Sequence, residues 1–242
     1  MKIFKHYLKT GLVILAGLSL VACFHGEDDD EVEMSDATYK VTISNITSAQ
    51  PLTPVAIVVH KPGFSGWTLG GAASNGLEKL AESGDTIDFI MDAAANINVS
   101  STNVAGTAPF GPGEVASADI TTTHSNDLEM SFASMLANTN DAFTGMTSVE
   151  IGAMSVGDSM TLMSYVYDAG TEANTESAGT LAGPVDTLML EDKAYSATRD
   201  DLHNFVTVHA GVVSMDDGLT ASILDESHRW NGPAAKIVIE RL

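Results

Sequence analysis

Five stretches of this chain set apolar residues at a spacing of two or in short apolar runs: Tyr39 to Ser44, Pro54 to His60, Met160 to Tyr167, Phe205 to His209 and Lys236 to Leu242. That spacing puts alternate side chains on opposite faces of an extended strand, so each stretch predicts a β-strand with at least one buried face. Gly, Ser, Thr, Asn and Asp are abundant between them, whereas helix-forming Lys, Arg and Gln are scarce, which favours many strands joined by turns. Between Ala72 and Ser83 the period changes. Leu77, Leu80 and Ala81 recur three and four residues apart with Glu78, Lys79 and Glu82 outside, predicting a short amphipathic helix ended by Gly84.

Residues 93–123 are rich in Asn, Ser, Thr, Gly and Pro and include Pro109-Phe-Gly-Pro-Gly113, so they are expected to form long loops on the scaffold. Residues 169–187 and 215–225 have the same character, and loops of this length often carry function. No repeat of about 20 to 50 residues is present, which argues against a solenoid or propeller. The expected fold class is all-β: an antiparallel β-sandwich with long loops and one or two short helices, its first and last strands near the two ends of the domain.

The N-terminus reads as an address. Residues 1–9 hold three lysines and no acid, and eleven apolar or small residues, Leu12 to Ala22, follow. A membrane-spanning helix needs about 20 residues, so this run predicts a signal peptide over 1–22. It closes on Leu20-Val-Ala-Cys23, which looks like a lipobox whose cysteine receives diacylglycerol. Cys23 is the only cysteine in the chain, so neither an internal disulfide nor a cysteine zinc site is available. At about 0.8 kcal/mol per buried methylene, two or three acyl chains would hold the mature protein on a membrane. Phe24 stands where an aspartate would signal inner-membrane retention, so export across the inner membrane and anchoring in the outer membrane, on its periplasmic or its outer face, is the expected localisation. Residues 23–36 carry six acids between His25 and Glu33 and are expected to form an extended, self-repelling tether. The folded domain is expected over 37–242.

Without residues 1–22 the chain has 8 basic and 32 acidic residues, a net charge of −24. No basic face for nucleic acid is expected, and attachment to anionic lipid would have to come from the acyl chains. The acidity keeps a domain soluble and makes it a sink for divalent cations.

Three passages together resemble the spondin N-terminal domain family. The first is His60-Lys-Pro-Gly-Phe-Ser-Gly-Trp67 leading into Ala73-Ser-Asn-Gly-Leu-Glu-Lys-Leu-Ala-Glu-Ser-Gly-Asp85. The second is Tyr167-Asp-Ala-Gly-Thr-Glu172, and the third is Pro233-Ala-Ala-Lys-Ile-Val-Ile-Glu-Arg-Leu242. The motifs occur in the expected order over about 37–242. The resemblance implies a β-sandwich similar to a C2 domain and a bound calcium ion (Ca2+), in modules found in matrix and adhesion proteins.

Calcium takes six to eight oxygens from carboxylates, carbonyls and water. Asp168 and Glu172 bracket Ala-Gly-Thr just beyond a predicted strand, and Gly170 permits a sharp turn that would bring both toward one ion. The resemblance adds Asp141, in Asn140-Asp-Ala-Phe-Thr-Gly145, so that Asp141, Asp168 and Glu172 form the expected calcium site at one end of the sandwich. Glu172 departs from the family's aspartate. Asn174 and Glu176 are further candidate ligands, while Asp85, Asp88 and Asp92 read as turn and solvent-facing acids. Taken singly, each carboxylate would default to a solvated loop of an acidic protein.

Asp200, His203 and His209 lie close in sequence, but six residues of extended strand would hold the two rings roughly 20 Å apart. No Gly-x-Ser-x-Gly elbow, His-Glu-x-x-His helix, EF-hand ladder or phosphate loop occurs. Trp67 and Trp230 are expected as core or rim anchors, and the 11 methionines as fillers of irregular core gaps. The expected function is a non-enzymatic, calcium-binding, surface-anchored module for an unknown surface or matrix component. A periplasmic hydrolase with an unrecognised carboxylate pair and a purely structural envelope lipoprotein are the alternatives.

Overall fold

A computed structural model describes residues 35–186 and 195–242; the leader, Cys23 and the acidic stretch through residue 34 lie outside them. The described strands are β1 (Asp36–Asn45), β2 (Val55–His60), β3 (Val99–Ala105), β4 (Val115–Thr123), β5 (Glu129–Met135), β6 (Ala142–Glu150), β7 (Ser159–Ser164), β8 (Val166–Asp168), β9 (Thr207–Val208) and β10 (Ala235–Arg241). Two helices, α1 (Asn75–Ser83) and α2 (Ile87–Ala94), lie between β2 and β3. The strands form two antiparallel sheets, ordered β4-β1-β10-β7 and β3-β2-β5-β6-β8-β9, and the domain is the all-β sandwich that its alternation predicts.

The sandwich core follows from the period of two. Tyr39, Val41 and Ile43 of β1 point inward beside Ile237 and Ile239 of β10, with Val41 opposite Ile239 and Ile43 opposite Ile237. Val55, Ile57 and Val59 of β2 with Met130 and Phe132 of β5 meet them from the second sheet. Each such side chain contributes about 1.5–3 kcal/mol by leaving water. Strand β2 is buried on both faces, which is why it reads as an unbroken apolar run. Its other face, Ala56 and Val58, packs with Leu77, Leu80 and Ala81 of α1 and with Phe89 and Ala93 of α2, so the helices cover the outer side of the second sheet. Helix α1 begins where the Ser74 hydroxyl accepts the Leu77 N–H and stops at Gly84, whose φ of 73° lets its N–H reach the Leu80 carbonyl.

Several sequence expectations need correction. Residues 93–123 are not loops throughout but contain β3 and β4. In β4 the inward positions are Ala116, Ile120 and Thr122, with Ala118 half-buried, so small and hydroxyl-bearing side chains supply the inner row and hydropathy does not alternate. The stretch Met160 to Tyr167 is two strands, because the chain leaves the first sheet after Ser164 and enters the second at Val166. The strand expected over Phe205 to His209 shrinks to Thr207–Val208. Met130 and Met135 do fill the core, whereas Met91, Met163 and Met215 are exposed. Trp67 is a core anchor and Trp230 is a half-buried rim residue, as expected.

Candidate metal centre

Strands β6 and β8 pair with Ala142 opposite Asp168 and Phe143 opposite Tyr167, and this register puts Asp141 and Asp168 side by side at the start of one strand and the end of the other. On the outer face of the same strand pair, Trp67, Phe143 and Tyr167 form an aromatic cluster. Trp67 meets Phe143 edge-on at 5.0 Å between ring centroids and Tyr167 at 5.5 Å.

The loop after β8 turns back over Asp141. Gly170 has φ of 70°, and its N–H donates to Asp168 Oδ1 at 2.8 Å. A Cβ at Gly170 would lie 2.4 Å from the Phe205 carbonyl oxygen, so the turn requires glycine both for its backbone and for space. The turn aims three donors at Asp141 Oδ2: the Thr171 N–H at 2.7 Å, the Thr171 hydroxyl at 3.2 Å and the Glu172 N–H at 3.1 Å. Asp141 Oδ1 is equally buried and has no partner. Asp168 Oδ2 accepts from Asn174 Nδ2 at 2.7 Å, so one of the candidate extra ligands touches the site.

Burial, followed by the neighbouring Asp168 charge, pushes the Asp141 carboxyl up to about 7 against the pull of its three donors. Burial also pushes Glu172 up to about 8, helped by the charges of Glu82 and Asp141. The Glu172 carboxylate, however, lines an adjoining pocket of about 90 Å3 with Asn140, Thr175, Thr180, Ser196 and Asp200. Among the described residues no group of three or more His, Cys, Asp or Glu side chains is arranged to hold a metal ion. Of the three expected ligands, Asp141 and Asp168 lie together, and Glu172, whose carboxyl feels the Asp141 charge, also lines the adjoining pocket.

Glu176 serves elsewhere. Its Oε1 accepts the Val213 N–H at 2.8 Å and its backbone carbonyl accepts the Ile223 N–H at 3.0 Å, so it pins the C-terminal loops, and burial raises its carboxyl to about 7. Asp85 and Asp92 accept backbone N–H groups at Ile87 and Gly76, and Asp88 pairs with Lys79. His203 lines a cleft of about 270 Å3 beside Asp168 with Leu202 and Phe205. The extended strand expected between His203 and His209 is reduced to Thr207–Val208, and His209 Nε2 lies 3.9 Å from Asp168 Oδ2.

Sequence reading missed a second polar arrangement. The Ser131 hydroxyl lies 2.8 Å from His60 Nε2, and His60 Nδ1 lies 3.0 Å from the Lys61 carbonyl and 3.5 Å from Glu129. This order resembles a nucleophile relay, but Ser131 and His60 are both fully buried, and Ser131 also accepts the Ser148 N–H at 3.0 Å. No substrate reaches that oxygen without unfolding the sheet. The network instead ties β2, β5 and β6 together, satisfying polar groups that the core would otherwise penalise.

The donor chemistry around Asp141 and Asp168 fits calcium. Two carboxylates share a buried end of the sheet, and one oxygen of Asp141 lacks a hydrogen-bond partner, the kind of oxygen donor that calcium takes. No curated protein matches the chain. The family model Spondin_N matches residues 37–187, which hold β1 through β8 and all three expected ligands, while β10 beyond the match completes the first sheet between β1 and β7. With more than half of its length covered by that match, the chain belongs to the Spondin_N family.

Proposed function

We propose that this protein is a calcium-stabilised extracellular interaction module, lipid-anchored at Cys23 in the outer membrane, which presents the loops around Asp168 to a surface or matrix component. Spondin_N domains are non-catalytic modules, and membership points to an extracellular interaction role. The observation that carries the calcium reading is Asp141: a buried carboxylate with one oxygen fully bonded and the other, beside Asp168, without a partner. Such a pair repels itself when ionised, and a divalent cation reverses that repulsion. When bound, calcium would draw on Asp141 and Asp168, with Glu172 as the family's third ligand. The chain's own groups hold the frame: Thr171 and Glu172 N–H groups fix Asp141, while Gly170 and Asn174 fix Asp168.

The cleft beside Asp168 supports the interaction role. Leu202, 93% exposed, and Phe205 rim it next to Asp201 and His203, offering apolar and polar contact at the same edge. Isothermal titration of residues 37–242 with calcium tests the site: the wild type is expected to bind, and Asp168→Asn to lose most of the heat. Equal titrations would remove Asp168 from the site. Anchoring is tested separately, with radiolabelled palmitate expected to enter the full chain in cells and Cys23→Ser to abolish labelling. Labelling that survives the substitution would rule out the lipid anchor.

A further inference from the structure

We propose that His209 is a positioning residue of this centre: its Nε2–H, held toward Asp168, donates to that carboxylate when the ion binds and withholds the ring nitrogen from the ion, favouring calcium over nitrogen-seeking transition metals. The inference rests on the calcium reading above. His209 is 8% exposed and lies in the segment just after β9, where its backbone N–H donates to the Val166 carbonyl at 3.1 Å. Its ring leans on Trp230, 5.0 Å between centroids at an interplanar angle of 58°.

The tautomer follows from the backbone. Gly211 N–H donates to His209 Nδ1 at 3.0 Å. An amide nitrogen only donates, so Nδ1 must present its lone pair and the neutral ring carries its proton on Nε2. That Nε2–H is buried and has no hydrogen-bond partner. The carboxylate it faces is Asp168, with Oδ2 at 3.9 Å, a gap that a shift of about one ångström closes to hydrogen-bond length.

An unspent buried donor destabilises a fold, and its place beside a metal-binding carboxylate gives it a use. Gly170 and Asn174 already hold the two Asp168 oxygens from the loop side, and His209 faces the same carboxylate from the segment just after β9, 3.9 Å away. Donors behind a ligating carboxylate orient it and typically change metal affinity about 10–100-fold. Imidazole is a favoured ligand for zinc, copper and nickel. Direct ligation through Nε2 would require the proton on Nδ1, where it would meet the Gly211 N–H head-on. The clamp therefore denies the centre the His209 imidazole nitrogen that faces Asp168 and leaves the ion to the carboxylate oxygens.

The test combines nitrogen NMR with titration. In 15N-labelled protein without metal, long-range proton–nitrogen correlations are expected to show His209 protonated at Nε2 and bare at Nδ1, a pattern unchanged by zinc. Calcium affinity is expected to fall about 10–100-fold in His209→Phe, which keeps the ring against Trp230, and to recover largely in His209→Gln, which restores a donor. Wild-type binding with an unchanged constant in both variants would overturn the inference alone, as would zinc moving the proton to Nδ1. A wild type that binds no calcium would overturn the calcium reading and this inference together.

Discussion

Asp141→Asn is expected to raise the melting temperature of the calcium-free domain at pH 8 and to abolish its response to calcium. The three donors on Asp141 Oδ2 can be received equally well by an amide oxygen. The amide nitrogen then takes the place of the unpartnered Oδ1, beside the one remaining carboxylate of the pair, Asp168. The substitution removes a charge whose folded state keeps its proton up to about 7, compared with 3.8 in the absence of burial. Above pH 7 that difference corresponds to at most about 4 kcal/mol of relieved destabilisation, less whatever the coupling to Asp168 absorbs. For a domain of this size about 1 kcal/mol moves the melting temperature by about 2–4 °C, so a gain of roughly 5–10 °C is expected at pH 8. At pH 5 the wild-type carboxyl is already protonated and the gain should largely vanish. Calcium, in contrast, stabilises the wild type by about 2.7 kcal/mol at 100 times Kd and should leave the variant unmoved. Scanning calorimetry at fixed high salt separates this from charge screening of an acidic domain. A variant that melts lower than wild type at pH 8, yet still responds to calcium, would mean that Asp141 is a structural acceptor and nothing more.

How much of this was legible in the sequence depends on where each residue's partners lie. Strands β1 and β10 announced themselves because each has one buried face lined with Val, Ile or Tyr. Strand β4 did not, because Ala116, Ala118 and Thr122 meet the core without a hydropathy signal. Asp141 and Asp168 were found because they sit inside quoted motifs, and the β6–β8 register explains why their separation in sequence becomes adjacency. Glu172 was found as a residue, but the pocket it lines with Asp200 and Ser196 is assembled from separate segments, which no local pattern could announce. His209 was weighed with Asp200 and His203 along a strand that forms only over Thr207–Val208. Its actual neighbours are set by the Gly211 N–H, the Val166 carbonyl and Trp230, three segments that meet only after folding. The His60–Ser131 network escaped for the same reason: its members are 71 residues apart.

With calcium chelated, the domain is expected to lose stability steadily as pH rises from about 4 to 8. Asp141, Glu172 and Glu176 all have carboxyls raised by burial, to about 7, about 8 and about 7. Between the ordinary carboxylate range and those values the folded state holds more protons than the unfolded chain, so unfolding releases protons and becomes easier at higher pH. The stabilisation is complete below about pH 4 and is lost as pH passes through the raised values. Asp127, Asp217 and Asp225 are lowered by their hydrogen bonds and oppose this only at more acid pH. Glu172 is partly open to solvent and counts for less than Asp141, which is fully buried. Saturating calcium should flatten most of the slope, since the ion favours the ionised forms of its ligands, but not the share owed to Glu176, which pins Val213 and Ile223 away from the pair. Glu176→Gln should therefore flatten the remaining slope in calcium while leaving the calcium-dependent increment itself intact. Urea titrations at pH 5, 6, 7 and 8, with and without calcium, read these slopes directly. Stability of the chelated protein that rises over this range would show that these carboxyls ionise without penalty, and the self-repelling pair at the end of β8 would lose its claim to an ion.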